Sequence, residues 1–541
     1  SDLICDGKGT MADLARLEEL ADQVKQTALC GLGQTAPNPV ISTLRYFREE
    51  YIEHIQEQHC RAGVCNAMVK APCINACPAC VNVPAYLAFT KEERFDDALA
   101  VHLRSNPFPS VCGRVCPQFC VKKCRRNDLE GPLGVRAVKR FMADLRDDYS
   151  DLFPAKADAN GKKIAVVGAG PAGLTGACYL QILGYDVTVF EKQPEAGGML
   201  RYAIPDYRLP REDLASEIAN IEKLGVTIKT SVAIGKDVTV EQLKSDGYDA
   251  VFVSTGAGKQ IKPDLPGVEL PGVLSGVEFL EMTSKGDTVD LGRNVIVIGG
   301  GDVAIDCSRV ALRCGAENVR VVYRRTREEM PTQDHEISEA EKEGVEVQYL
   351  ANLVGVKNTE TGLLATIRSM RLGEFDRSGR RRPVPIETSD VDQPVDAIIL
   401  AIGQRPEASA VFAGAGMDEL VDGDWINASE KDGTTKRTDI FAGGDLVTGP
   451  ATVVEAIAAG QRAAKSIDQL LLPGDKEYFW ETIELPDVFV DTEAELEEVD
   501  PVAMPMLPAG KRTPGAEVEG TVTAEEAIRE ACRCLRCDYK G

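Results

Sequence analysis

The 541-residue chain sets 61 Lys and Arg against 85 Asp and Glu, a net charge of −24, with 44% hydrophobic and only 6% aromatic residues. At roughly 100–200 residues per domain that length predicts about three or four domains, each with its own core, and the acidic balance excludes a nucleic-acid-binding protein, which needs clustered Lys and Arg to displace counterions. No apolar run reaches the roughly 18–20 residues needed to span a bilayer, and the opening SDLICDGKGT lacks the basic flank and apolar stretch of a signal peptide, so a soluble, cytoplasmic chain is expected; its start at Ser suggests a processed or partial product.

Seventeen cysteines are unevenly spread. They crowd the first 124 residues and the last ten, and only Cys178, Cys307 and Cys314 lie between. In a cytosolic protein such clusters hold metal more often than disulfides. Residues 10–55 place apolar residues at helical spacing around a Cys30-Gly-Leu-Gly turn followed by Pro37 and Pro39. This stretch resembles the carboxy-terminal helices of the NADH-oxidising flavoprotein subunit of respiratory complex I and of NAD-linked hydrogenases. The resemblance implies that Cys30 gives the last thiolate of a further [4Fe–4S] cluster. The upstream CxxCxxC and FMN domain of that family are absent, so Cys30 is either orphaned or, the favoured reading, belongs to the carboxy-terminal part of a longer polypeptide. Next, Cys60-x4-Cys65, with His54 and Cys5, offers a tetrahedral Cys3His zinc set. His59 competes with His54, and Cys60 and Cys65 could instead replace iron–sulfur ligands.

Residues 71–141 contain Cys73-x3-Cys77-Pro, Cys112-x3-Cys116-Pro and Cys120-x3-Cys124. The spacing is helical and predicts paired thiolates on common faces, a density that favours iron–sulfur clusters. The segment resembles the helical two-cluster domain of the glutamate synthase small subunit, of dihydropyrimidine dehydrogenase and of the large subunit of NADH-dependent ferredoxin:NADP oxidoreductase. In that family an RCLxC pair precedes the APC motif, whereas here RCLRC stands at the far end of the chain, with Cys534 and Cys537. The resemblance therefore implies one [4Fe–4S] cluster on Cys73, Cys124, Cys534 and Cys537, with the tail folding back across a polar, Pro-rich tether at 496–520. A second cluster would take Cys77, Cys116 and Cys120, with Cys112 as the least certain fourth ligand because some relatives use a non-cysteine group. Cys80 and Cys532 are left over.

Residues 162–191 give an apolar strand, Gly168, Gly170 and Gly173, an Ala/Leu-rich helix, and a second strand ending at Glu191. Gly168 permits the tight turn, Gly170 the approach of a pyrophosphate and Gly173 close helix–strand packing, while Glu191 can accept ribose hydroxyls. Residues 294–325 repeat the pattern with Gly299, Gly301 and Ala304, but the second strand ends in Arg324 and Arg325. Guanidinium groups suit a 2′-phosphate, so NADP(H) is expected, the alternative being a solvated strand end. The apolar stretches 249–258 and 396–407 suit crossovers between the two units. Residues 438–464 add a strand, the turn Gly443-Gly444-Asp445 and an amphipathic helix. This order resembles the two-dinucleotide-domain flavoprotein disulfide-reductase superfamily, in which the first unit binds FAD; Gly444 and Asp445 would then meet the flavin's ribityl and pyrophosphate. Gly198, in the loop 197–210, would approach the flavin, while Arg201 is as suited to an ion pair. No redox CxxC lies in either unit, and no His, Ser or carboxylate catalytic constellation is evident.

The expected fold is α/β, two Rossmann-like domains for FAD and NADPH preceded by all-helical iron–sulfur domains. The expected division is 1–70, 71–158, 159–289 with 390–475 for FAD, 290–389 for NADPH, and a tail at 476–541. The resemblances imply hydride transfer between NADPH and FAD and one-electron transfer through [4Fe–4S] clusters. The leading reading is a subunit of a NADH/ferredoxin:NADP transhydrogenase, with electron bifurcation open, partnered by an FMN-bearing NADH dehydrogenase module and ferredoxin. The alternatives are a glutamate-synthase-type electron donor to an amidotransferase, and an electron-wire or assembly scaffold with a vestigial flavin site.

Overall fold

The computed structural model describes residues 2–56, 60–62, 65, 71–360, 362–376, 378–413, 416–482, 486–490 and 498–539. Two parallel five-stranded sheets frame the molecule. The first runs, edge to edge, through Ile440–Ala442, Ala250–Val253, Lys163–Val167, Asp186–Phe190 and Thr227–Lys229. The second runs through Val273–Ser275, Ala397–Leu400, Asn294–Ile298, Asn318–Tyr323 and Glu346–Tyr349. Strands buried on both faces read as continuous apolar runs, and Ile164 to Val167 and Val295 to Ile298 are buried throughout. In each sheet the strand order reverses beside the glycine-bearing strand, which opens a crevice at its carboxyl end.

The second sheet draws Val273–Ser275 and Ala397–Leu400 from outside 290–389. Val273–Ser275 is too short to show a period, and the apolar stretch 396–407 reads in sequence as a crossover strand of the first unit. After Leu400 the chain returns through the pair Lys259–Gln260 and Gln404–Arg405. A separate antiparallel sheet, Ala351–Thr359, Gly362–Phe375, Arg381–Pro385 and Val391–Val395, shares a core with the second sheet through Ile296, Ile298 and Ile398.

Ahead of the sheets lie helices. Met11–Thr27, Asn38–Tyr46 and Arg48–Gln56 pack on a small core of Ile4, Leu14 and Leu44, and Thr10 with Asp13 closes a capping box on the first of them. Val83–Lys91, Phe95–Leu103, Pro109–Val115 and Val135–Asp144 share one core with the first sheet's helix Pro171–Ile182. That helix crosses Val453–Leu471 at glycine, where a Cβ on Gly460 would lie 2.5 Å from the Ala172 carbonyl.

The tail is docked rather than a loose tether. Leu507 N–H donates to the Val518 carbonyl at 2.7 Å and Val518 N–H to the Tyr207 carbonyl at 3.0 Å. Arg512 pairs with Glu343 at 2.8 Å, and Glu517 with Arg114 and Arg140 at 2.8 and 2.7 Å. Among the described residues no helix is long and apolar enough to cross a membrane.

Candidate functional site

The first glycine turn is built by exclusion. A Cβ on Gly168 would meet the Ser254 carbonyl oxygen at 2.7 Å, and one on Gly173 the Gly168 oxygen at 2.0 Å, whereas a Cβ on Gly170 would meet nothing within 4 Å. Two glycines thus lock the turn and the third faces open space at the N-terminus of Pro171–Ile182, a cradle shaped for a phosphate. The same division recurs in the second turn. A Cβ on Gly299 would lie 2.2 Å from the Ala401 oxygen, one on Gly301 only 3.8 Å from the nearest atom, and Ala304 is fully buried.

Gly198 (φ +55°) brings its backbone against Gly170, where a Cβ would sit 2.9 Å from the Gly170 Cα. Glu191 is buried and accepts the Ala169 N–H at 2.7 Å and the Gln193 N–H at 2.8 Å. It therefore braces the turn, and each oxygen keeps lone pairs for a ribose hydroxyl. Gly444 (φ +69°) lies against Ala172, which sets Asp445 beside the same helix start. Burial pushes the Asp445 carboxyl up to about 7, Ala451 N–H at 3.2 Å opposing it and Glu455 adding to it. Arg201 pairs with Glu195 at 3.2 Å, one of the two roles open to it in sequence.

Arg324 and Arg325 part company. Arg325 is buried, its Nε donating to the Arg381 carbonyl at 2.6 Å and a terminal nitrogen to Asp376 at 2.8 Å, so it is committed to the fold's own ion pair. Arg324 is exposed, and partial burial, Arg325 and Arg380 together hold its guanidinium below the usual range. Arg380 comes from the turn before Arg381–Pro385, and the basic run 380–382 was its only signal in the sequence. An open pair of cations, Arg324 and Arg380, fits a phosphate better than the sequential pair did.

The cysteines gather into two adjoining groups that share Cys120. Cys73 lies on helix Pro72–Ala76, but Cys77 already has extended backbone (φ −84°, ψ 121°), and Cys116 ends Pro109–Val115 in the same way (φ −68°, ψ 131°). Pro78 and Pro117 follow them, and a residue before proline is driven out of the helical region. The expected common helix face is therefore broken, and the thiols of Cys73 and Cys77 diverge while Cys112 and Cys116 stay together. Cys73 faces Cys534, Cys120, Cys537 and Cys124, whereas Cys77 faces Cys120, Cys116 and Cys80. One cavity is lined by Cys73, Cys120, Cys124, Cys534 and Cys537, so the tail does bring its cysteines to the amino-terminal set. Cys112 is fully buried and faces Cys116.

Burial raises these thiols, Cys112 and Cys534 to about 12 and Cys120 to about 11. Buried sulfur donors of this density become thiolates only when a metal supplies compensating charge, so the donor set fits iron–sulfur clusters. A contact not foreseen in sequence holds one helix in place. Glu217 is buried and accepts the Ser110 and Val111 N–H groups at 2.5 and 3.1 Å, capping the helix that carries Cys112.

Near the start of the chain, the donor atoms of His54, Cys60 and Cys65 all lie within 4.8 Å of one another. Tetrahedral zinc, about 2.3 Å from each sulfur, needs donors about 4 Å apart. His54 Nε2 is 3.4 Å from Cys65 Sγ, and Nδ1 lies 2.6 Å from the Glu50 carbonyl, which fixes the ring. Cys5 faces Cys65, whose thiol is pushed up to about 12 by burial, then Cys60, then Cys5. His59 lies outside the described residues. Cys30 is exposed at the start of Gly31–Thr35, its sulfur accepting the Gly33 N–H at 3.5 Å. Cys178 and Cys307 are buried and Cys314 is exposed, so no dithiol pair flanks the glycine turns.

Comparison with known proteins agrees with this geometry. Residues 162–460 match the family model "Pyridine nucleotide-disulphide oxidoreductase", residues 44–150 "Dihydroprymidine dehydrogenase domain II, 4Fe-4S cluster", and residues 1–54 "NADH-ubiquinone oxidoreductase-F iron-sulfur binding region". The chain is 36% identical to the NADP(+)-dependent formate dehydrogenase subunit beta of Moorella thermoacetica, over 99% of this chain and 86% of that one. It is 37% identical to the NADPH-Fe(3+) oxidoreductase subunit beta of Geobacter sulfurreducens, over 99% and 85%. It is 34% identical to the glutamate synthase [NADPH] small chain of Escherichia coli, over 72% and 86%. The fingerprints, the cysteine sets and these matches together describe an NADPH-dependent FAD and iron–sulfur oxidoreductase. The chain belongs to the pyridine nucleotide-disulphide oxidoreductase family, in its glutamate synthase small-chain-like group with 4Fe-4S domains.

Proposed function

We propose that this chain is the NADP(H)-side subunit of a multi-subunit transhydrogenase that exchanges electrons among NADPH, NADH and ferredoxin, and that its flavin site bifurcates them. The observation that carries the NADH side is the Cys30-Gly-Leu-Gly segment, which matches an NADH dehydrogenase iron–sulfur region and precedes the cluster cysteines in one polypeptide. A glutamate-synthase-type donor has no use for that segment. In the chain, 71–158 would hold two [4Fe–4S] clusters, 159–289 with 390–475 FAD, and 290–389 with strands Val273–Ser275 and Ala397–Leu400 NADPH. Partners would be an FMN-bearing NADH dehydrogenase module and ferredoxin, with Cys30 completing a cluster from residues of the former.

When bound, FAD exchanges hydride with NADPH and turns two-electron into one-electron transfer, and the clusters carry the single electrons. The residues arrange this. Gly170, Gly198, Gly444, Glu191 and Asp445 would hold the flavin dinucleotide, Gly301 the NADPH pyrophosphate, and Arg324 with Arg380 its 2′-phosphate. Gln461, on the helix that starts after the Asp445 turn, donates to the Ser105 carbonyl at 2.6 Å and the Ala79 carbonyl at 3.4 Å, and Arg462 faces Cys80. The flavin helix thus abuts the loop after Cys77, which supports the Cys77 set as the nearer cluster and the Cys73 set as the outer one. Cys5, His54, Cys60 and Cys65 would hold zinc and brace the junction between the two cluster-bearing modules.

A second reading follows from the relatives' names, an electron partner that oxidises formate or reduces iron. The test is the purified complex assayed anaerobically for NADPH formation. Formation that requires NADH and reduced ferredoxin together supports bifurcation; formation with formate alone, or glutamate formation with an amidotransferase partner, would replace it. Stopped-flow reduction of the flavin by NADPH tests the site itself, and its absence would leave a scaffold.

A further inference from the structure

The helix Val135–Asp144 carries three buried cations and treats them differently. Arg136 donates to the Arg114 carbonyl at 2.7 Å and pairs with Glu519. Arg140 pairs with Asp144 at 3.2 Å and Glu517 at 2.7 Å. Lys139 is only 7% exposed, yet among the described residues no carboxylate pairs with it. A buried charge without a partner is not tolerated, so something else must answer it.

What surrounds Lys139 is sulfur. Cys116, Cys112, Cys120 and Cys77 all lie within electrostatic reach of its ammonium. The packing that brings them there is tight. A Cβ on Gly113 would lie 2.8 Å from the Arg140 Cα, so the two helices meet main chain to main chain, one residue from Cys112 on one side and one from Lys139 on the other. His102, fully buried with neither ring nitrogen partnered, lies nearby; burial and then Lys139 hold it neutral, so it adds no second charge. Glu217 spends its carboxylate on the Ser110 and Val111 N–H groups.

We propose that the Lys139 ammonium is a fixed counter-charge for the cluster held by Cys77, Cys116 and Cys120, raising that cluster's reduction potential. The inference rests on the iron–sulfur reading above. The cluster gains one electron and one negative charge on reduction, and a cation packed against its sulfurs favours that form; charge and hydrogen bonding near the sulfurs are established controls of cluster potential. The Cys73, Cys124, Cys534 and Cys537 set has cations of its own, Lys123, Arg125 and Arg126 on its cavity, so Lys139 is assigned to the inner set alone. The inner cluster would therefore sit at a higher potential than Lys139-free ligation would give.

The test uses the full chain with its clusters in place. Iron and acid-labile sulfide are counted per chain, and both midpoints are read by EPR-monitored redox titration for wild type, Lys139→Met and Lys139→Arg. The expected result is full iron in Lys139→Met with one midpoint lowered by tenfold or more in the one-electron equilibrium, about 59 mV, the other unmoved, and Lys139→Arg near wild type. Unmoved midpoints in an iron-replete Lys139→Met would overturn the proposal. If Lys139→Met loses one cluster, Lys139→Arg decides. Recovery of iron and potential supports the charge; loss in both variants shows that the primary amine itself is needed and overturns it. A wild-type chain without iron would fail the iron–sulfur reading first.

Discussion

Gly170 and Gly301 differ from their neighbours in one physical respect, that a methyl group there meets no protein atom closer than 3.8 Å. Ala at either position should leave the thermal melt within about 1 kcal/mol of wild type while weakening FAD (Gly170→Ala) or NADPH (Gly301→Ala) at least tenfold by equilibrium titration. Gly173→Ala, with its clash at 2.0 Å, should instead fail to fold. Equal destabilisation by all three would contradict the cradle. Arg324→Ala should lower kcat/KM for NADPH roughly 10–100-fold, the worth of one or two hydrogen bonds to a charged group, and spare NADH. Arg325→Ala should act on stability, since its partner is Asp376. Asp445 supplies a pH signature. Its carboxyl is raised from 3.8 to about 7, so in flavin-free protein its favourable contribution is complete below about 3.8 and is lost as pH rises through about 7. The Tm of flavin-free Asp445→Asn should gain on wild type across that window, and a constant difference would contradict the assignment. The glycines were legible in the sequence because each answers to local backbone geometry. Arg380 was not, because a hairpin 56 residues on carries it to Arg324.

At the scale of elements, strands and helices flanking the fingerprints were legible because strand, turn and helix follow each other within thirty residues. Val273–Ser275 was not, since only pairing with Ala397–Leu400 makes it a strand. The cysteine helices show local chemistry overriding spacing. An x3 interval promised shared faces, and the proline after Cys77 redirects its thiol away from Cys73, which lets one short segment feed two clusters. The tail helix Ala524–Cys532 is fixed by Glu530, fully buried, which accepts the Gly134 and Val502 N–H groups at 2.7 Å each and pairs with Arg533. Removing one partner of such a pair costs roughly 3–5 kcal/mol. Glu530→Ala should therefore release the tail, seen as new proteolytic cleavage after residue 498 and loss of about half the iron, with FAD retained. A protease-resistant tail with full iron would contradict the docking.

Across the whole molecule, the chain closes on itself. The tail binds the second dinucleotide unit through Arg512 to Glu343, the first through Val518 to Tyr207, and the helical domain through Glu517, Glu519 and Glu530, so one strap joins the three units that the proposed electron path must keep in register. That strap ends in two cysteines on a cavity lined by Cys73 and Cys124. The sequence already contained the pairing as a displaced RCLRC motif, but the docking contacts span hundreds of residues and no local signal encodes them. The direct measurement is iron, sulfide and flavin content with EPR on anaerobically reconstituted wild type and the Cys534→Ser/Cys537→Ser double variant. The wild type should hold about eight irons from two [4Fe–4S] clusters, and the variant about four, with one EPR signal lost and FAD unchanged. Full iron and both signals in the double variant would contradict the account.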